Sequence, residues 1–346
     1  MKFCVVGDPM ISSETLEVAV HEVFGPEHQV KRVDWRPKSQ EVFYQLRSDV
    51  EKNGPEAGCP PEELFEQAVD VDVIITHHTP LNRRVIEQSG AKLVGVCRAG
   101  VENVDVKAAK EKGITVYKTI GRNTEAVSDF AVGLMLCELR NIARGHAALK
   151  EGTWRRKYSN SDFMGDMEGK TIGLIGFGEI GRAVTKKLGG FDVRILVYDP
   201  FVDEDAVRKA GAEKMDLETL LRTSDFISVH ARLSDATKGI IGREAFDLMK
   251  PTAYLINTAR AGLIDEEALV EALEQKKIGG AALDVFWTEP MEKEHPLRAM
   301  DHVTLTPHLA GATNDTMKKT PYLLLREMKR CLEEKDESSR WIVKQV

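Results

Sequence analysis

The chain has 346 residues, of which 42% are hydrophobic and 30% are charged, and its formal net charge is −7. This composition is typical of a globular protein with two domains. Charges of both signs are interspersed and give no basic footprint for nucleic acid, and no apolar run in the sequence is long enough to span a membrane. The five cysteines form no Cys-x-x-Cys pair, so we expect no metal site and no disulfides, and we expect a reduced, cytoplasmic protein.

The first hundred residues contain three short β-branched runs that predict strands. These runs lie near Lys2–Val6, Val71–Thr76 and Lys92–Val96. The first is too short for a secretion signal and has no small-residue cleavage site. Glycines and prolines between Ser48 and Pro61 predict an exposed loop. His77 and His78 follow the second run; they could face a cleft, but we expect a solvent-exposed loop pair.

A single long helix is predicted from Thr124 to Leu149, where apolar residues recur at three- and four-residue spacing. Asn123 and Thr124 are suitable capping residues at its start. Its apolar stripe could face a second domain, a second subunit or an ordinary core, and the pattern does not choose among them. Another helical stretch, Asn314–Glu334, closes the chain, and we expect Pro321 to bend it.

From Lys170 onward, short apolar runs alternate with amphipathic segments such as Glu179–Leu188 and Glu266–Glu274. This alternation predicts βαβ units with right-handed crossovers and a mostly parallel sheet. The predicted strands are Thr171–Gly176, Val193–Tyr198, Phe226–His230, Ala253–Asn257, Ala281–Phe286 and Val303–Thr306.

A glycine-rich turn joins the first of these strands to its helix. Gly176, Gly178 and Gly181 form the pattern Gly-x-Gly-x-x-Gly. The first glycine permits a tight turn, the second lets the backbone approach a pyrophosphate, and the third lets helix and strand pack closely. Glu179 and Ile180 begin the helix, whose N-terminal N–H groups favour phosphate. We therefore predict a dinucleotide site.

An acidic residue, Asp199, ends the next predicted strand, 18 residues after Gly181. A carboxylate at this distance binds the adenosine ribose hydroxyls and repels the 2′-phosphate of NADP. The simpler alternative is a turn residue before Pro200, but the strand, loop, helix and strand in succession favour the ribose role. The predicted cofactor is NAD.

Arg260, Glu289 and His308 follow the ends of three predicted strands, at the edge of a parallel sheet where ligands bind. Arginine can hold a carboxylate in a bidentate way and polarise the neighbouring carbonyl. Histidine can give a proton to the forming alkoxide, and a nearby glutamate favours imidazolium and orients the ring. Each residue also has an ordinary alternative: a pair between Arg260 and Asp265, a turn at Glu289, or a loop histidine.

Several motifs, in this order along the chain, resemble the D-isomer-specific 2-hydroxyacid dehydrogenases. They are Gly100–Asp105, the glycine turn, Asn257–Asp265, Ala282–Phe286 with Glu289-Pro290, and Thr306–His308. The resemblance covers nearly the whole chain and is strongest from Lys92 to Gly311.

This resemblance implies two Rossmann-like α/β domains, each with a doubly wound parallel sheet, and a cleft between them. Residues 1–117 with 312–346 would form the substrate domain, and residues 118–311 the NAD-binding domain, through which a homodimer would form. The implied catalytic residues are Arg260, Glu289 and His308. Thr258, Ala259 and Asp284 would line the nicotinamide side, and the backbone of a turn formed by Ala99, Gly100 and Val101 would bind the substrate carboxylate.

Four residues depart from the family's usual pattern: Arg98 in place of a small residue, Arg232 in place of proline, Trp287 in place of an acidic residue, and Asp129 in place of glutamate. Arg98 either faces the cleft, where it would suit an anionic or polyhydroxylated acid, or forms a surface ion pair. The chain resembles the short members of the family, so feedback by an amino acid is not expected.

The expected function is hydride transfer between NAD(H) and C2 of a small D-2-hydroxy or 2-keto acid, with phosphorylated and sugar-derived acids among the candidates. The alternative is an NADH-sensing protein resembling the transcriptional corepressors of this fold, which could keep the whole catalytic set. No partner is expected among nucleic acids or membranes. A formate dehydrogenase is disfavoured because those enzymes have a different substrate pocket and longer termini.

Overall fold

The computed structural model describes residues 1–344, and the chain divides into two compact units. The first unit comprises residues 1–122 and the chain from Thr313 onward, and the second comprises residues 123–312. The boundaries predicted from the sequence lie after residues 117 and 311. No helix within residues 1–344 is both long enough and apolar enough to cross a membrane.

The first unit is built on a five-stranded parallel sheet in the order β2-β1-β3-β4-β5. Its elements up to residue 122 are β1 (Lys2–Gly7), α1 (Ser13–Phe24), β2 (Gln29–Asp34), α2 (Gln40–Asn53), α3 (Glu62–Gln67), β3 (Val73–Thr76), α4 (Arg83–Gln88), β4 (Leu93–Val96), α5 (Val106–Glu111) and β5 (Thr115–Lys118). All four residues of β3 are buried, because helices cover both faces of a parallel sheet. The strand order reverses between β1 and β3, which makes this the switch point of the sheet.

The second unit contains a seven-stranded parallel sheet in the order β12-β11-β10-β9-β6-β7-β8. Its elements are α6 (Thr124–Arg140), α7 (Ile142–Lys150), β6 (Thr171–Ile175), α8 (Glu179–Leu188), β7 (Arg194–Tyr198), α9 (Glu204–Lys209), β8 (Glu213–Lys214), α10 (Leu217–Thr223), β9 (Phe226–Val229), α11 (Arg243–Leu248), β10 (Tyr254–Asn257), α12 (Glu266–Glu274), β11 (Gly280–Leu283) and β12 (Val303–Leu305). The switch point lies between β6 and β9. The two doubly wound α/β sheets confirm the predicted fold class.

The last helix, α13 (Asn314–Glu334), belongs to the first unit. Its buried residues Leu324, Leu325 and Met328 share a core cluster with Leu16 of α1. A side chain at Gly95 of β4 would collide with Met328, so the glycine lets the helix lie close to the sheet. The helix continues through Pro321, which is buried.

Three local predictions are wrong. The single helix from Thr124 to Leu149 is two helices, separated at Asn141, whose φ of 54° is one that asparagine tolerates. The loop predicted from Ser48 to Pro61 begins only at Gly54, because Phe43 and Val50 bury one face of α2 and extend that helix to Asn53. The strand predicted to reach Phe286 ends at Leu283, where the next residue turns to bind the loop after β12. In addition, the Asn123 side chain makes no capping bond.

Candidate active site

The glycine turn after β6 has three different environments. A Cβ atom at Gly176, whose φ is +97°, would lie 2.5 Å from the Ala231 nitrogen, and one at Gly181 would lie 2.4 Å from the Gly176 oxygen. A Cβ atom at Gly178 would meet no heavy atom within 4 Å. The first and third glycines therefore allow close packing within the protein, whereas the second faces open space beside the start of α8. This is the arrangement that a pyrophosphate group requires.

The carboxylate of Asp199 is fixed beside this turn. One of its oxygens accepts a hydrogen bond from Phe177 N at 2.8 Å, and the other accepts one from Phe201 N at 2.9 Å. A carboxylate has about four acceptor positions, so both oxygens can still accept ribose hydroxyls. Gly178 precedes α8 and offers no side chain to cap its first N–H groups. The turn, the helix and Asp199 together fit an adenine dinucleotide.

Two buried polar atoms lie after neighbouring strands on the other side of the switch point. His230 follows β9, and its Nε2 atom is 2.9 Å from the Ser228 hydroxyl, whereas its Nδ1 atom is buried and has no partner among residues 1–344. The Thr258 hydroxyl, after β10, is also buried and has no partner in this part of the chain. Burial lowers the pKa of His230 to about 4, so the imidazole is neutral near pH 7. Two such atoms at the carboxyl ends of neighbouring strands fit a bound polar ring or sugar.

The sequence did not indicate a role for His230. Its position in the sequence could have indicated one. His230 directly follows β9, the strand across the switch point from β6, and a residue at this place lies beside the glycine turn. The structure places the His230 carbonyl carbon 2.7 Å from where a Cβ of Gly176 would be.

Asn257 holds the turn that carries Arg260. Its Oδ1 atom accepts a hydrogen bond from Ala259 N at 3.0 Å, and its Nδ2 atom donates to the Arg260 carbonyl at 3.0 Å. The Arg260 side chain is exposed and has no carboxylate partner within the described chain; its Nη1 atom donates to the Ala259 carbonyl. The alternative pair with Asp265 is absent there, since that carboxylate caps α12 at Ala268. The guanidinium is therefore available to bind an anion.

His308 and Glu289 form a hydrogen-bonded pair. The Nδ1 atom of His308 is 2.8 Å from Oε2 of Glu289, and Oε1 of Glu289 accepts a hydrogen bond from Phe286 N at 3.0 Å. Both side chains are partly exposed, by 49% and 38%. Since Nδ1 donates to the carboxylate, Nε2 is the nitrogen that can exchange a proton with a substrate.

Asp284 fixes the backbone around His308. Its buried carboxylate accepts hydrogen bonds from the Thr306 hydroxyl at 2.6 Å and from Leu309 N and Ala310 N, each at 2.8 Å. These bonds enclose His308, whose φ of +53° is an uncommon backbone conformation for a residue with a side chain. The family resemblance implies that Asp284 lies beside the nicotinamide. The structure shows contacts that position the histidine segment.

The remaining predicted site residues lie in the first unit, directly after β4. The backbone N–H groups of Ala99, Gly100 and Val101 donate to no atom of residues 1–344, so they are free to bind a carboxylate. Arg98 is buried, and its guanidinium donates to His78 Nδ1 and to Glu51.

The prediction that His77 and His78 are solvent-exposed is wrong. His77 is 0% exposed and His78 is only 4% exposed. Asp8, at the end of β1, binds Nδ1 of His77 at 3.0 Å and the backbone N–H of His78 at 2.9 Å. These bonds satisfy the polar groups and allow both residues to be buried.

The other departures from the family pattern take no part in the hydrogen bonds described above. Asp129 pairs with Lys187 at 2.9 Å, and the Trp287 indole donates to the Ile264 carbonyl at 3.1 Å. Arg232 is exposed.

Comparison with known proteins agrees with this geometry. Residues 132–310 match the family model described as "D-isomer specific 2-hydroxyacid dehydrogenase, NAD binding domain". The chain belongs to this family. It is 41% identical to a D-3-phosphoglycerate dehydrogenase of Methanocaldococcus jannaschii over 279 residues, which are 80% of this chain and 52% of that protein. It is 39% identical to a hydroxypyruvate reductase of Thermotoga maritima over 296 residues, which are 84% of this chain and 95% of that protein.

The chain spans about half the length of this phosphoglycerate dehydrogenase and of another from Archaeoglobus fulgidus. Solved structures of similar fold cover nearly all of the chain. A D-lactate dehydrogenase of Lactobacillus jensenii with NAD⁺ is 26% identical, with a TM-score of 0.75 and full coverage of both chains. The apo D-lactate dehydrogenase of Escherichia coli is 28% identical, with a TM-score of 0.71 over 99% of this chain and all of that one. The residues that match the NAD-binding domain of this family all lie in the seven-stranded unit.

Proposed function

We propose that this family member is an NAD-dependent oxidoreductase that reduces a small 2-keto acid to the D-2-hydroxy acid, or catalyses the reverse reaction. The observation that supports this most directly is the His308–Glu289 pair, in which Nδ1 is engaged and Nε2 is open. The names of two kinds of relative point to acids of this size. One is a hydroxypyruvate reductase that this chain covers almost completely, and the others are glyoxylate reductases at similar identity. Substrate class and direction are part of the proposal.

Each residue of the proposed catalytic set has a separate task. Arg260 binds the acid's carboxylate and polarises the neighbouring C2 carbonyl, because no carboxylate of the described chain neutralises its charge. His308 donates its Nε2 proton to the C2 oxygen as the negative charge develops there. Glu289 orients the ring and stabilises the imidazolium. We also propose that the N–H groups of Ala99, Gly100 and Val101 bind the acid's carboxylate.

The nicotinamide cofactor, when bound, supplies or accepts the hydride at C2. The sum of the reduction is a 2-keto acid, NADH and one proton giving a 2-hydroxy acid and NAD⁺. Gly178, Glu179, Ile180 and Gly181 are the proposed pyrophosphate contacts at the start of α8. Asp199 is proposed to accept the adenosine ribose hydroxyls and to disfavour the 2′-phosphate of NADP. Thr258 and Ala259 are proposed to contact the nicotinamide side.

We further propose that the protein is a homodimer formed through the NAD-binding domain. Four large apolar side chains of the 142–164 segment are exposed to solvent. They are Ile142 at 54%, Leu149 at 58%, Trp154 at 79% and Met164 at 46%. A second copy covering them would remove apolar surface from water. Light scattering should give a dimer mass for the protein and a lower mass for Trp154→Lys; a monomer in both would contradict this.

A cytoplasmic location is also proposed, and five free cysteines are consistent with it.

The proposal is tested by following NADH oxidation at its absorbance with a panel of 2-keto acids. The panel contains glyoxylate, hydroxypyruvate, phosphohydroxypyruvate, pyruvate and sugar-derived keto acids. Rapid turnover of at least one acid is expected, with the D-isomer as product wherever C2 becomes a stereocentre. Tight NADH binding without turnover of any acid would contradict the proposal and would favour an NADH-sensing protein.

A further inference from the structure

A polar cluster that the proposed catalytic set does not use lies in the first unit. It consists of Asp8, His77, His78, Arg98 and Arg122, which follow the carboxyl ends of β1, β3, β4 and β5. Asp8 and His77 follow the two strands that flank the switch point of this sheet. Ligands of open parallel sheets bind at this location. The cluster is therefore in a position to bind a ligand.

Asp8 fixes the first layer of the cluster. Its carboxylate accepts four hydrogen bonds, from Met10 N at 2.8 Å, Ile11 N at 3.0 Å, His78 N at 2.9 Å and His77 Nδ1 at 3.0 Å. Because Nδ1 of His77 donates to Asp8, Nε2 of that ring carries no proton and can accept. Burial, reinforced by nearby arginines, lowers the pKa of His77 despite the attraction of Asp8. His77 is therefore a neutral acceptor near pH 7.

The guanidinium of Arg98 already has two carboxylate partners. It donates to Glu51 at 2.8 Å, to Glu102 at 3.3 Å and to His78 Nδ1 at 2.9 Å, and its side chain is only 11% exposed. Two carboxylates offset its one positive charge. The residue that the sequence suggests as a reader of anionic substrates is thus held in a structural ion pair.

Arg122 is the cation of the cluster that lacks an anion. Its Nη1 atom donates to His77 Nε2 at 3.4 Å and lies 3.8 Å from the sulfur of Met317, and both partners are neutral. No carboxylate within residues 1–344 forms a salt bridge with it. Burial, followed by the charge of Arg98, lowers the pKa of Arg122, as expected where a cation is desolvated without a counter-charge. Such a cation is stabilised when an anion binds.

We propose that an oxyanion subsite lies at the switch point of the first unit and that Arg122 is its main binding residue. This subsite binds a second acidic group of the keto acid, which is a carboxylate or a phosphate. The proposal rests on the proposed function for its substrate. The planar guanidinium matches both groups in a bidentate way. His77, whose ring Asp8 orients, positions the guanidinium.

Paired substrates test the proposal. Two ratios of kcat/KM would be measured for the wild type and for Arg122→Gln. The first compares phosphohydroxypyruvate with hydroxypyruvate, and the second compares 2-oxoglutarate with 2-oxobutyrate. We expect at least one ratio to fall by about tenfold or more in the variant, since a charge-assisted hydrogen-bonded pair is lost. Which ratio falls distinguishes phosphate from carboxylate. Arg326→Gln, in α13, should keep both ratios, and equal ratios in the wild type and Arg122→Gln would overturn the proposal.

Direct anion binding separates this proposal from the proposed function. With NADH saturating, inorganic phosphate should raise the Tm of the wild type and should shift the imidazole ¹⁵N resonance of His77 Nε2, because the anion competes for Arg122. The Arg122→Gln variant should show neither effect. If no keto acid is turned over but phosphate acts in this way, the proposed function fails and the subsite stands. Equal phosphate effects on both proteins would overturn the subsite.

Discussion

The Nδ1 atom of His308 lies 2.8 Å from Oε2 of Glu289, while Nε2 of the same ring has no partner in the described chain. One nitrogen is therefore fixed by the protein and the other is left for the reaction. Neutralising the carboxylate keeps the shape of the pair but removes the charge that stabilises imidazolium. We expect Glu289→Gln to lower kcat by about 10- to 100-fold and to leave the Kd of NADH within about twofold.

The matched control is Glu292→Gln, an exposed glutamate three residues further along. It should keep the wild-type kcat. An unchanged kcat in Glu289→Gln would show that the pair is not part of the mechanism.

Asp284 should affect both stability and rate, because it holds the histidine segment through three donors. An asparagine has one acceptor oxygen, so at least one buried donor would lose its partner. We expect Asp284→Asn to lower the free energy of unfolding by about 1–3 kcal/mol in urea and to lower kcat. Asp235→Asn, at an exposed position, should change neither. Wild-type kcat in Asp284→Asn would contradict the positioning role.

The three glycines of the turn should respond differently to alanine. At Gly181 the added methyl group would meet the Gly176 oxygen, so Gly181→Ala should destabilise the fold. At Gly178 the space is open within the protein, so Gly178→Ala should keep its Tm and weaken NADH binding, by about tenfold. Gly190→Ala, also at an open position, should keep both properties. Unaltered NADH binding by Gly178→Ala would contradict the proposed pyrophosphate site.

His230 should make the fold less stable in acid. Burial lowers its pKa to about 4 from 6.5, so between these pH values the unfolded chain binds a proton that the folded chain excludes. Its stabilising contribution is present above pH 6.5 and falls by up to about 3 kcal/mol as the pH drops towards 4. Urea unfolding at several pH values should show a shallower acid slope for His230→Gln than for the wild type. The exposed His146→Gln should keep the wild-type slope, and an equal slope in His230→Gln would contradict the assignment.

Features encoded locally could be predicted from the sequence. The glycine pattern between an apolar run and an amphipathic segment predicts the turn after β6, and strand–helix alternation predicts the parallel sheet of the second unit. The positions of Arg260, Glu289 and His308 at one edge of the sheet can also be predicted, because a strand end can be recognised without knowing the fold. The structure pairs two of these residues, and their catalytic roles remain predictions.

Features that depend on distant residues could not be predicted. The burial of His77 depends on Asp8, 69 residues away in the sequence. The break at Asn141 lies within an uninterrupted amphipathic pattern, and the Asn141 amide donates to Asn160, 19 residues later. The contacts of Asp284 with residues 306–310 required the order of β11 and β12 in the sheet. Sequence periodicity carries no information about such contacts.

The most direct test of the central claim is to compare NADH oxidation by the wild type and by His308→Asn, with the best acid of the panel and with NADH binding measured separately. If His308 donates the proton, kcat should fall by about 100- to 10,000-fold while the Kd of NADH stays within about twofold. A variant that binds NADH normally and turns over the acid at the wild-type rate would contradict the account.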